Sequence, residues 1–176
     1  MTYSNKKPNQ LKYLSSYTLE LQNKIRTMVE QDTLESFLLK KHPKTHNIKN
    51  DKMLREYVIN LKNTHLRKSS PLSKVIYDKK IHAVNNALGL HTFISRVQGN
   101  KLKSKNEIRI SEIFKTGPEA FLEMIVVHEL AHIRIKLHDK AFYQLCQHML
   151  PDYHQLEFEM RVYLTQLELK GDIYFK

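Results

Sequence analysis

The apolar positions of the first seventy residues recur at helical spacing. After a polar start to about residue 14, Tyr17, Leu21, Ile25, Met28 and Val29 share one face of a 3.6-residue turn. Asp32-Thr-Leu-Glu35 has the form of a capping box and starts a second expected helix through Leu38 and Leu39. Residues 40–47 read as a loop, with Pro43 ending that helix. Met53, Leu54, Tyr57, Val58 and Leu61 predict a helix from Asp51 to about Leu66, broken at Ser69-Ser70-Pro71. A further helix is expected over residues 72–88, on Val75, Ile76, Val84 and Leu88, with Gly89 as its stop.

The pattern then changes. His91-Thr-Phe-Ile-Ser-Arg-Val97 is rich in strand formers, Gln98-Gly-Asn100 is turn chemistry, and Glu107-Ile-Arg-Ile110 alternates. Two short antiparallel strands are expected, or a hairpin with a long basic loop. Thr116-Gly-Pro118-Glu119 opens a helix through Phe121, Leu122, Met124, Ile125, Val127 and Leu130. Asp139 caps a helix from Lys140 to Met149, Pro151-Asp152 breaks it, and a last helix runs from Tyr153 to about Leu169. The expected class is α+β, mostly helical, with a small antiparallel sheet. The expected division is a helical, basic region over residues 1–70 and a catalytic domain over 71–176, or one continuous domain.

Composition narrows the classes. The 176 residues include 41% hydrophobic and 27% charged side chains, a globular balance. No run approaches the ~18 apolar residues of a membrane span, and the first ten residues do not read as a signal peptide. The lone cysteine, Cys146, excludes an internal disulfide and points to a reducing, cytoplasmic setting; it reads as a small buried hydrophobe. The net charge of +11 is uneven: residues 1–80 hold 17 basic and 7 acidic side chains, residues 81–176 hold 12 and 11. A positive field of that kind attracts nucleotides or nucleic acid, and weak nucleic-acid binding through the first half is an expectation.

One motif carries chemistry: His128-Glu129-Leu130-Ala131-His132. Histidines at i and i+4 share a helical face, so both rings reach one zinc at about 2.0–2.1 Å. Glu129 sits on an adjoining face, suited to a water beside the metal rather than to ligation. A catalytic zinc needs a third protein ligand and an open position. His138 lies six residues on, and the chain must turn after Ile135 or Lys136 to return it; an N-cap at Asp139 supports that turn. A glutamate from the last helix, Glu157 or Glu159, is the rival third ligand. His148 and His154 read as surface or supporting residues, and His42, His46, His65, His82 and His91 as surface or loop residues without ligand spacing.

Ile125-Val-Val-His-Glu-Leu-Ala-His132, then Leu137-His-Asp-Lys-Ala-Phe-Tyr143, then Leu150-Pro-Asp-Tyr153, resembles the YgjP-like metallopeptidase-domain family over about residues 88–168. The resemblance implies a zincin-like fold, the active helix beside a small sheet, zinc on His128, His132 and His138, and Glu129 as general base. That family usually carries an R-W-G-S-C segment before the active helix; residues 95–100 here read Ser-Arg-Val-Gln-Gly-Asn. One branch of the family is linked to pyrophosphohydrolysis of uridine triphosphate. The reading is therefore a zinc-dependent metallohydrolase, first a metallopeptidase. The alternatives are a nucleoside triphosphate pyrophosphohydrolase and a non-catalytic, zinc-stabilised binding module.

Overall fold

A computed structural model describes residues 11–81, 89–98 and 101–175, with residues 89–98 and 101–105 described by their backbone alone. Its elements run α1 (Leu19–Glu30), α2 (Leu34–Lys41), α3 (Asp51–His65), β1 (Leu72–Asp78), β2 (Gly89–Gln98), β3 (Lys101–Ser111), α4 (Glu119–Ala131), α5 (Lys140–Met149) and α6 (Tyr153–Lys170). Short 3-10 turns cover Lys12–Leu14 and Glu112–Lys115. No helix among the described residues is long and apolar enough to cross a membrane.

The chain divides into two compact units, residues 1–44 with 157–176, and residues 45–156. In the smaller unit α1 packs on α2. Thr18 caps α1, its hydroxyl accepting from the Leu21 N–H. Ile25, Leu34 and Leu38 are buried, as are Met160, Val162, Tyr163 and Leu164 of α6. The expected capping box before α2 does not form. Asp32 takes a left-handed φ of 58°, and Thr33 stands at the N-cap without a side-chain bond to the helix. The reason lies upstream: α1 runs on to Glu30 and closes through the Thr33 N–H to Met28 carbonyl bond, leaving one residue to reverse the chain.

The larger unit holds the sheet. Asn50 caps α3 by accepting from the Met53 N–H at 3.0 Å, and Leu54 and Val58 are buried. This helix packs on β1. The link is specific: Asp51 accepts the Tyr77 N–H at 2.8 Å, and the Tyr77 hydroxyl donates to the Ile48 carbonyl at 2.7 Å. The helix expected over 72–88 is a correction. Leu72–Asp78 is a strand, while residues 82–88 lie outside the described residues. Val75, Ile76 and Tyr77 are β-branched or aromatic, and Val75 and Tyr77, two apart, are both buried, the period of a strand.

The sheet is three-stranded in the order β1-β3-β2, and it is mixed rather than antiparallel. β2 and β3 form the expected antiparallel hairpin, Gly89 opposite Ile110 and Gln98 opposite Lys101. The expected basic loop, Lys101 to Lys105, is itself strand. β1 pairs parallel with β3, Val75 beside Ile108 and Tyr77 beside Ile110, all four buried. On the other face Arg109 meets Asp78 at 2.9 Å. α4 lies against β2, β3 and α5.

Candidate functional site

α4 is apolar on every side: Phe121, Leu122, Met124 to Val127, Leu130 and Ala131 are buried. Such a helix is a core element, and polar groups on it are held where the fold puts them. It brings His128 and Glu129 to its last turn. The helix ends at Ala131, earlier than the turn expected after Ile135 or Lys136, and His132 is its C-cap at φ −63°, ψ −18°. Arg134 and Ile135 both return N–H bonds to the Ala131 carbonyl at 3.0 Å, which tightens the chain into a turn. Asp139 then starts α5, accepting the Phe142 N–H at 2.9 Å.

This path returns His138 to the histidine pair. Its Nε2 lies 3.1 Å from Nε2 of His128 and 3.0 Å from Nε2 of His132. One ligand atom from each ring falls within 4.8 Å of the others. Two tetrahedral ligands, each about 2.05 Å from one ion, stand about 3.3 Å apart. The spacing therefore fits a single cation on three imidazoles, a donor set suited to zinc, copper, iron or nickel.

The opposite ring nitrogens support this. Nδ1–H of His132 donates to the Ile135 carbonyl at 3.0 Å, since a carbonyl only accepts. That tautomer leaves the Nε2 lone pair facing the cluster. Nδ1 of His128 pairs with the hydroxyl of fully buried Tyr153 at 2.7 Å. Phe142, also buried, lies with its ring centroid 4.9, 4.6 and 4.8 Å from those of His128, His132 and His138. Without a cation the converging nitrogens would repel, so charge is what the arrangement accommodates. His128 and His132 are half-buried and His138 is exposed, which leaves one side open to a substrate. Glu129, next to His128 on α4, is only 3% exposed.

Other candidates stand elsewhere. Glu159 is buried and holds Lys41 and, at 2.7 Å, Nε2 of His42. Glu157 pairs with Arg161 at 3.0 Å. Neither carboxylate is among the converging ligand atoms. His42 and His46 are loop residues, as expected, but not surface ones: His42 sits on Glu159 and His46 is 4% exposed. His148 is exposed with its ring 6.5 Å from that of His65. His154 is exposed beside Tyr143. Cys146 is buried, as read. His82 and the side chain of His91 lie outside the described residues, as do the side chains of residues 95–100. Sequence reasoning gave Tyr153 no role at the site; it occurs in a segment that carries the family resemblance, but only the fold shows which ring it touches.

No solved structure matches this chain. A protein of Escherichia coli (strain K12) named UTP pyrophosphatase is 55% identical over 159 residues, 90% of this chain and 95% of that protein. The family model described as YgjP-like, metallopeptidase domain, matches residues 2–163. The match takes in the first seventy residues, where no resemblance was legible from motifs. With a match this long, seated on the helix and return that bring the three histidines together, the chain belongs to the YgjP-like metallopeptidase-domain family.

Proposed function

We propose that this chain is a metal-dependent hydrolase of nucleoside triphosphates, releasing pyrophosphate and the nucleoside monophosphate, with zinc on His128, His132 and His138 and Glu129 as general base. The observation that carries the reading is the 55% identity, across nearly the whole of both chains, to a protein named UTP pyrophosphatase. The peptide bond, first in the sequence reading, becomes the second choice: it rests on the motif and on the family's description. The proposed fold is zincin-like, with α4 as the active helix beside the sheet, and the proposed setting is cytoplasmic, in keeping with a single buried thiol.

Zinc, when bound, supplies a positive charge that polarises a phosphoryl oxygen and acidifies nearby water. The three Nε2 atoms hold the ion. The Ile135 carbonyl and Tyr153 hydroxyl keep two of the rings turned toward it. The carboxylate of Glu129 takes a proton from the attacking water, whose oxygen bonds the α-phosphorus as the α–β anhydride bond breaks. Glu129 then passes the proton to the departing pyrophosphate oxygen.

The test is product analysis on zinc-loaded protein offered UTP and, separately, unstructured peptides. Monophosphate and pyrophosphate in equal amounts, with peptides intact, is the expected result. Peptide cleavage without UTP turnover would reverse the order of the two readings. Glu129→Gln should keep the metal and lose about 10²–10⁴-fold in turnover, the usual worth of a general base. Full activity in that variant would remove Glu129 as the base, and a parent with no hydrolysis of either substrate would leave the zinc-stabilised binding module.

A further inference from the structure

The rings around the histidine cluster continue outward. His138 lies 6.4 Å, centroid to centroid, from Tyr143, one turn into α5. Tyr143 lies 5.4 Å from His154 on the first turn of α6, with the ring planes tilted by 38°. Tyr153 stands 5.4 Å from His154 at 77° and braces it from the buried side. Of these rings Phe142 and Tyr153 are buried and Tyr143 is half-buried, while His138 and His154, at the two ends of the row, are exposed. Leu137, the residue before His138, is a large apolar side chain left 74% exposed.

A row of rings that joins an exposed candidate cation ligand to an exposed histidine through a half-buried tyrosine is more than the core requires. The apolar face of α5, Phe142, Cys146 and Met149, is already buried without Tyr143. Resting on the reading of this chain as a nucleoside triphosphate hydrolase, we propose that Tyr143 and His154 form the platform on which the substrate's nucleobase stacks. The chemistry fits in two ways. A nucleotide whose α-phosphate meets the histidine cluster carries its base one ribose further out, and Tyr143 offers a ring at about that remove, 6.4 Å from His138. Aromatic faces and imidazoles stack on bases whatever their sequence of polar groups, and each such contact strengthens binding without taking part in the reaction. The base, held there, fixes which phosphorus stands at the open side of the cluster, so the same rings favour release of pyrophosphate over release of a single phosphate.

The experiment is steady-state hydrolysis of UTP by full-length, zinc-loaded parent, Tyr143→Ala, Tyr143→Phe and His154→Ala, with zinc content measured for each. In both alanine variants KM for UTP should rise about 10-fold, within the usual range for loss of one base-stacking ring, with kcat changed much less. Tyr143→Phe should recover most of the lost affinity, since it restores the ring without the hydroxyl. KM values within twofold of the parent in both alanine variants would overturn the platform while leaving UTP hydrolysis standing. A fall in kcat or in zinc content with KM unchanged would overturn it too, because the rings would then be supporting the histidines. His154 is exposed and its replacement leaves the core intact, so the inference remains decidable if Tyr143→Ala fails to fold. A parent that leaves nucleoside triphosphates intact removes both this inference and the reading beneath it.

Discussion

Two hydrogen bonds, one on His132 and one on His128, select the ring atoms that face the cluster. The Ile135 carbonyl takes the proton of Nδ1 on His132, and the Tyr153 hydroxyl engages Nδ1 of His128, so both rings present Nε2. Such outer partners are worth about 10–100-fold in metal affinity. Tyr153→Phe should therefore weaken zinc binding by that order while the fold survives, because the phenyl ring keeps the packing and only the hydroxyl goes. His138→Ala should weaken it more, by removing one of three ligands. Glu157→Ala and Glu159→Ala should leave zinc affinity unchanged, their carboxylates being committed to Arg161, and to Lys41 and His42. Competition against a chromophoric chelator reads all four. Unchanged affinity in His138→Ala would show that the third ligand is another group. At this scale the sequence was legible for the convergence of the three histidines, since i, i+4 spacing on a helix and a cap at Asp139 are local facts. It was not legible for Tyr153, whose partner is 25 residues away and is chosen by how α6 meets α4.

The segment between α2 and α3 shows what one buried side chain does for an element boundary. His46 is 4% exposed; its Nε2–H donates to the Phe114 carbonyl at 2.6 Å and its Nδ1 accepts the Ile48 N–H at 3.0 Å. Both ring nitrogens are used by the neutral form, and burial pushes the imidazole below its ordinary value, with nearby Lys49 acting in the same direction and the Phe114 carbonyl against it. The unfolded chain then binds a proton that the folded chain refuses. Stability from this residue is complete above about pH 6.5 and is lost as pH falls below it. His46→Gln should lower stability at pH 7.5 by about 1–3 kcal/mol, the cost of leaving one of these groups unpaired. It should also flatten the loss of Tm between pH 7 and pH 5 relative to the parent, measured on metal-free protein. Equal slopes in the two proteins would show that His46 is not the group responsible. Helices of this chain were legible where apolar spacing and caps agreed: α5 occupies Lys140–Met149, as its cap and periodicity predict. β1 was not, because Val75 and Ile76 satisfy a helical count as well as a strand. Its parallel pairing with β3 depends on residues more than thirty positions away.

Charge reads differently once the chain is folded. Along the sequence the excess falls in residues 1–80, with 17 basic and 7 acidic side chains. By compact unit, residues 45–156 hold 18 basic and 10 acidic side chains, a net of +8, while residues 1–44 with 157–176 hold 11 and 8, a net of +3. The positive charge is therefore concentrated in the unit that carries His128, His132 and His138. α3, which belongs to the first half of the chain, is bound to β1 through Asp51 and Tyr77, so cutting before Leu72 would damage that unit rather than isolate a basic arm. Salt is the cleaner probe. A net of +8 around a site proposed to take a triphosphate should draw the substrate in over distances beyond contact, and such attraction is screened over about 8 Å at 0.15 M salt. Raising salt from about 0.05 to 0.5 M should lift KM for UTP roughly 10-fold, the low end of the ~10–10³ range of electrostatic steering, with kcat nearly constant. Chloride and acetate salts should act alike if screening is the cause. A KM that ignores salt would assign recognition to short-range contacts alone. A fall in kcat at constant KM would mean that salt disturbs the histidine cluster rather than the field. The same field attracts nucleic acid, which should compete with UTP at low salt and lose that competition steeply as salt rises, because each phosphate contact releases counterions.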